Sequence, residues 1–152
     1  MNFTDFKVKL QKELILELTD WQPKFANETM RAFDLECHPW HGYIELSFLT
    51  IDETSEVSIN DLWETVGDWR LYDFASPNAG CNRFNDLGDW MKSYALDDRF
   101  FSLFASVLMS KEVTSILQNY NLSDDFQIGV INTDDPTYFN YCSEWNKLIN
   151  NI

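Results

Sequence analysis

Cys37-His38-Pro39-Trp40-His41 is the one place in the sequence where soft metal ligands cluster. A zinc site needs three or four convergent ligands. No second Cys/His pair is present to complete one, and Cys37 and His38 point to opposite faces if both lie in a strand. The segment reads as a hairpin turn with two exposed histidines, and neither a metal nor another cofactor is expected. Cys37, Cys81 and Cys142 are widely spaced, form no CxxC pair and read as small buried apolar residues.

Nucleophilic catalysis requires Ser or Cys beside a His with an orienting acid. His38 and His41 are the only histidines, and no G-x-S-x-G, P-loop or G-x-G-x-x-G pattern occurs. Adjacent acids recur at Asp52-Glu53, Asp97-Asp98, Asp124-Asp125 and Asp134-Asp135. A glycosidase needs carboxylates from different elements facing across a cleft. Neighbouring acids at loops and helix starts read instead as caps and solvated turns. Asp134-Asp135 also lacks the alternation of an EF-hand loop. No catalytic residue is assigned, and the chain reads as a non-enzyme.

Large aromatics ringed by acids suit a different task, the reception of Lys and Arg through salt bridges and cation–π contact. Trp40, Trp63 and Trp69 lie in such a stretch. Trp63 and Trp69 read as core residues. Trp40 falls on the predicted turn and reads as exposed.

The charge is distributed to match. The 152 residues carry 25 Asp and Glu against 11 Lys and Arg, a formal charge of −14. No base lies between Arg31 and Arg70, where nine acids fall, nor between Lys111 and Lys147, where six fall. These two segments account for the whole excess. A pI near 4.3 argues against DNA, RNA and anionic membranes as partners, because phosphate contacts require clustered Lys and Arg. The remaining readings are general solubility or a negative surface for a basic partner. The second requires the two segments to meet in space.

The elements that must position these residues follow from periodicity. Phe6, Leu10, Leu14 and Leu18 predict an amphipathic helix over residues 4–19, with a turn at Pro23 and a short helix over 24–30. From Arg31 the period changes to two. Phe33, Leu35 and Cys37 alternate with Asp34, Glu36 and His38, and Ile44, Leu46 and Phe48 follow the turn. That predicts a hairpin with one apolar face and one acidic face bearing Asp34, Glu36 and Glu45. Ser58 can cap a short helix stopped by Gly67. Residues 68–75 read as extended and 76–80 as a loop. Helices are predicted over 84–94 and from Asp97 or Asp98 onward, the latter reaching Tyr120 or breaking near Ser110. Residues 125–132 form a strand with Phe126, Ile128 and Val130 inward. Asp135-Pro136 starts a C-terminal helix carrying Tyr138, Tyr141, Cys142, Trp145, Leu148 and Ile149.

The class is therefore α+β in a single domain over residues 1–152, a small, mostly antiparallel sheet with helices packed on one face. The strand acids then fall on the other face. At 45% hydrophobic and 16% aromatic, the chain is no disordered acidic tail. No run approaches the 18 apolar residues of a membrane span, and the first residues lack the order of a signal peptide. A cytoplasmic protein is expected.

The order of these features, with Asp68-Trp69 in a Trp-rich middle, Asp134-Asp135 at a strand end and a closing Trp145-Asn146, resembles small acidic bacterial proteins of unknown function. Some of that group are encoded beside polymorphic toxins and regarded as immunity proteins. The resemblance implies a binding protein that neutralises a cognate toxin, with no catalytic residues to carry over. The acidic surface suits a basic, nuclease-like partner, and Asp34, Glu36, Trp40, Glu45, Asp52 and Glu53 are the residues expected to contact it. The alternative is a small-molecule-binding domain or enzyme with an aromatic and carboxylate pocket, which a cavity holding His38 or His41 beside an acid would favour.

Overall fold

The computed structural model describes residues 1–53, 59–76, 82–94 and 98–150, and every structural statement concerns these. Glu56, Ser58, Cys81, Asp97 and positions 77–80 lie outside them. Helix α1 (Phe3–Trp21) opens the chain. The Asn2 side chain accepts from the Asp5 amide at 2.8 Å, and Phe6, Leu10, Leu14 and Leu18 form its buried stripe. The helix expected over 24–30 does not form. Pro23 supports one 3-10 turn, Gln22–Phe25, and strand β1 (Thr29–His38) takes over where side chains begin to alternate between two packed faces.

β1 pairs antiparallel with β2 (Tyr43–Thr50), as the period of two requires. The four-residue turn closes on the His38 carbonyl, which accepts from the amides of His41 at 3.2 Å and Gly42 at 2.9 Å. Gly42 sits at φ +69°, a conformation that disfavours a side chain. It also lies backbone to backbone against Gly88, where a Cβ on either residue would collide with the other's carbonyl. That contact seats the turn on helix α2 (Asn85–Ser93).

The strand order is β2-β1-β3, with β3 (Asn121–Gly129) parallel to β1, so the sheet is mixed but mostly antiparallel. β3 begins four residues earlier than the predicted strand. Phe126, Ile128 and Val130 are buried as the alternation requires. Helices α1, α2, α3 (Arg99–Leu108) and α4 (Lys111–Leu117) cover the face formed by Phe33, Leu35, Cys37, Leu46, Phe48 and Ile128. The apolar run after residue 98 breaks at Met109-Ser110, where the Ser110 hydroxyl accepts from the Val113 amide and the axes bend by 59°. No single helix is long and apolar enough to cross a membrane.

The opposite, outer face is partly covered too. The short helix predicted to end at Gly67 is a 3-10 helix, Ile59–Asp68, and it lays Leu62 and Val66 with Trp69 over Ala32 and Leu49. Trp63 joins this second cluster with its ring against Gly129, where any Cβ would overlap it. Trp63 and Trp69 are thus packing residues.

Both sheet edges are interrupted by crossing contacts, which shortens the free row of backbone groups open to strand addition. Along β2, the Phe48 amide donates to the Leu71 carbonyl and the Phe74 amide to the Leu46 carbonyl. Residues 68–75 therefore form a bridge and turn, with Asp73 at φ +46°, in place of the expected extended segment. Along β3, the Asn146 carboxamide on helix α5 (Ser143–Asn150) accepts from the Ile128 amide and donates to its carbonyl, both at 2.9 Å. This helix starts at Ser143, eight residues after Asp135. Asp135 instead accepts from the amide and hydroxyl of Thr137, an Asx turn that competes with helix initiation, and Tyr138 turns the chain at φ +50°. Leu148 is exposed, contrary to expectation. Cys37 and Cys142 are buried free thiols, as read from the sequence.

Candidate functional site

The alternation of β1 puts Ala32, Asp34, Glu36 and His38 on the outer face, and the hairpin register sets Leu49, Ser47, Glu45 and Tyr43 opposite them in turn. Leu62, Val66 and Trp69 occupy the Ala32/Leu49 end of this row. The polar remainder divides between the two ends of the hairpin.

At the open end Glu28, Asp52, Glu53 and Asp125 each have a donor. The Arg31 guanidinium, 5% exposed, pairs with Asp125 at 3.1 Å and donates to its carbonyl at 2.8 Å. Arg70 forms a fork on Glu28 at 3.1 and 2.9 Å and reaches Asp52 at 3.4 Å. Glu53 accepts from the Thr50 amide at 3.1 Å, the Thr50 hydroxyl at 2.7 Å and the Arg70 amide at 2.7 Å. The Thr50 hydroxyl beside Asp52, helped by the Arg70 charge, holds the Asp52 carboxyl below its usual range.

The turn end is different. Asp34 is 1% exposed and Glu36 5%. His38 Nε2 stands 3.1 Å from Glu36 Oε2 and 3.8 Å from Glu45 Oε1. Tyr72 hydrogen-bonds to Glu45, and the Asp73 amide donates to the Ser47 hydroxyl at 2.9 Å. Among the described residues, His38 is the one basic side chain paired with this group. Asp34 Oδ1 and Glu45 Oε2 are buried without a hydrogen-bond donor.

The titrations follow from that crowding. Burial pushes the Asp34 carboxyl well above its usual range, and the charges of Glu36 and Glu45 push it further. For Glu36, burial works upward, but hydrogen bonds from His38 and then Asp34 outweigh it and hold the carboxyl low. For His38, burial works downward and is outweighed by the Glu36 hydrogen bond and the charges of Glu36, Glu45 and Asp134, so its pKa rises. Burial and the Glu36 charge raise Glu45, and burial with the Glu45 hydrogen bond raises Tyr72.

Above this group lies a cleft of about 270 Å³ lined by His38, Trp40, His41, Tyr43, Glu45, Tyr72, Thr133 and Asp134. His41 stacks on Tyr43 with ring centres 5.9 Å apart. Such a mixture of aromatic faces and carboxylates can hold an ammonium or guanidinium group.

Of the residues expected to contact a partner, Asp34, Glu36, Trp40 and Glu45 meet at the turn end, whereas Asp52 and Glu53 lie at the open end. Asp34 and Glu36 do not form an open acidic face. They sit on the central strand, covered on the outer side, and no rigid partner surface reaches them. Trp40 is half-buried against Phe101, at 6.4 Å between ring centres, because the turn is drawn down onto the helical layer. His38 is likewise half-buried, not exposed; His41 is exposed. The two base-free segments do meet, through Asp134 beside Glu45 in the cleft.

Tyr43, Tyr72, Asp73 and Asp134 belong to the site although sequence reasoning does not single them out for it, and His38, which it names only for the small-molecule reading, stands at its centre. The period of two already places His38 beside Glu36, and a four-residue turn implies the Glu36–Glu45 pairing. Tyr72 and Asp73 arrive through an edge contact that carries no local signal. Comparison with protein-family models, curated proteins and solved structures finds no match for this chain.

Proposed function

We propose that this protein is a non-enzymatic, cytoplasmic binding protein of the immunity type, which neutralises a cognate bacterial toxin by covering a basic, nuclease-like surface. The observation that supports it is the turn-end cleft, where carboxylates lack Lys and Arg partners and aromatic rings stand beside them. A Lys or Arg of the partner entering between Tyr43, Tyr72, Glu45 and Asp134 would supply the missing positive charge. Trp40 and Glu45 keep the role expected of them, with Tyr43, Tyr72 and Asp134 added. Asp34 and Glu36 act from beneath, by setting the potential of the cleft, and Asp52 and Glu53 fall outside the contact. Negative potential focused in a cleft speeds encounter with a basic partner.

The test is co-expression with the product of the adjacent reading frame. The expected result is a complex that co-purifies and a toxin activity inhibited at one equivalent. A neighbour that is not basic, or that forms no complex, overturns the proposal.

A second reading is favoured by one observation, His38 beside Glu45 in the cleft. It is a small-molecule site for an organic cation. A thermal-shift panel of amines and guanidinium compounds distinguishes the two, since only this reading expects saturable stabilisation without a protein partner.

A further inference from the structure

Beneath the cleft lies a set of donor atoms of which partner docking, as proposed above, uses only Glu45. His38 Nε2, one oxygen of Glu36 and one of Glu45 all fall within 4.8 Å of one another. Donors bonded to one Zn²⁺ at about 2.0–2.2 Å stand roughly 3–4 Å apart. The 3.1 and 3.8 Å separations from Nε2 already lie in that range. The backbone fixes the set. β1 places Glu36 and His38 two residues apart on one face, and the register puts Glu45 directly across from Glu36.

A separate observation points to a cation here. Asp34 is the next residue along the same face, is 1% exposed, and keeps Oδ1 buried without a donor. Glu45 Oε2 is buried and unpartnered as well. Native interiors leave few such atoms, because each forfeits its hydration without recompense. Among the described residues His38 is the one basic group paired with these acids, and a bound cation adds the positive charge they lack.

We propose that Glu36, His38 and Glu45 form a site for a divalent transition metal of the Zn²⁺ type, with the remaining coordination position open to the cleft. One imidazole and two carboxylates suit Zn²⁺ or Mn²⁺ better than Ca²⁺, which takes six to eight oxygen ligands. Asp34 is a positioning residue that holds Glu36 from behind. The Cys37-His38 pair draws attention toward further Cys and His ligands, whereas acids across the hairpin complete the set. The inference does not depend on the partner proposed above.

The experiment is calorimetric titration of chelator-treated protein with Zn²⁺, repeated with Ca²⁺, alongside Co²⁺ absorption spectra. One equivalent of Zn²⁺ is expected to bind, more tightly than Ca²⁺, and Co²⁺ should develop visible bands of a nitrogen- and oxygen-bound ion. His38→Gln and Glu45→Gln should each weaken Zn²⁺ binding by more than the ~10–100-fold typical of removing an outer partner, and Asp34→Asn should weaken it by about tenfold. Glu112→Gln, on α4 in the helical layer across the sheet, should change nothing. Circular dichroism checks that each variant is folded, and if one of the two ligand variants fails to fold the other carries the test. Absence of saturable binding overturns the proposal. So does binding that survives both ligand variants, or that is lost with Glu112→Gln.

Discussion

At the open end of the hairpin, Glu28, Asp52, Glu53 and Asp125 are held by Arg31, Arg70, Thr50 and backbone amides. At the turn end, Glu36 and Glu45 share one imidazole with Asp34 and Asp73 nearby, and two buried oxygens have no donor among the described residues. The same pair of strands carries both groups. Acids at the first end hold the chain together, and acids at the second repel one another in a partly dry setting. Net charge alone could not reveal this, since both ends are acidic in sequence. The difference lies in which cations fold back onto them. Arg31 and Arg70 both serve the open end.

Neutralising a charged group should therefore have opposite effects on stability at the two ends. Arg31→Ala should have the largest effect, a loss of about 2 kcal/mol in urea unfolding, because a nearly buried guanidinium loses an ion pair and a charge-assisted bond to the Asp125 carbonyl. Glu53→Ala should follow, with a loss of about 1.5 kcal/mol, since the Thr50 and Arg70 amides lose their acceptor.

Asp34→Asn should go the other way and raise stability by about 1 kcal/mol at pH 7, because it removes a crowded buried carboxylate while keeping its shape. The sign depends on pH. Folded Asp34 holds its proton more tightly than unfolded Asp34, so its contribution is fully present below the unfolded pKa of about 3.9 and is lost as pH rises through the raised folded value. The gain from Asn should therefore shrink as unfolding is repeated at falling pH and vanish near pH 4. Asp134→Asn, on an exposed residue, should leave stability within about 0.5 kcal/mol. A loss in Asp34→Asn equal to that in Glu53→Ala would erase the contrast.

The α+β class, the α1 stripe and the hairpin are legible in the sequence because each depends on local periodicity, whereas periodicity leaves open the choice between a helix reaching Tyr120 and the observed break near Ser110. The candidate site is half legible. Alternation and turn length alone bring Asp34, Glu36, His38 and Glu45 together. Their burial is not legible, because it depends on the 3-10 segment and on residues 71–74 crossing the β2 edge. Asp135-Pro136 misleads for a physical reason, since a side chain that caps a helix can equally close an Asx turn. The parallel partner of β1 leaves no mark in the alternation, which is identical for either direction.

The most direct measurement is the salt dependence of the association rate with the proposed cognate toxin, compared between variants at the two ends. Glu45→Gln with Asp134→Asn should lower the rate several-fold at low salt and flatten its dependence on ionic strength, whereas Asp52→Asn with Glu53→Gln, in variants that remain folded, should leave the slope nearly unchanged. A slope that flattens only for the open-end pair, or for neither pair, would contradict the assignment of the turn-end cleft as the docking site.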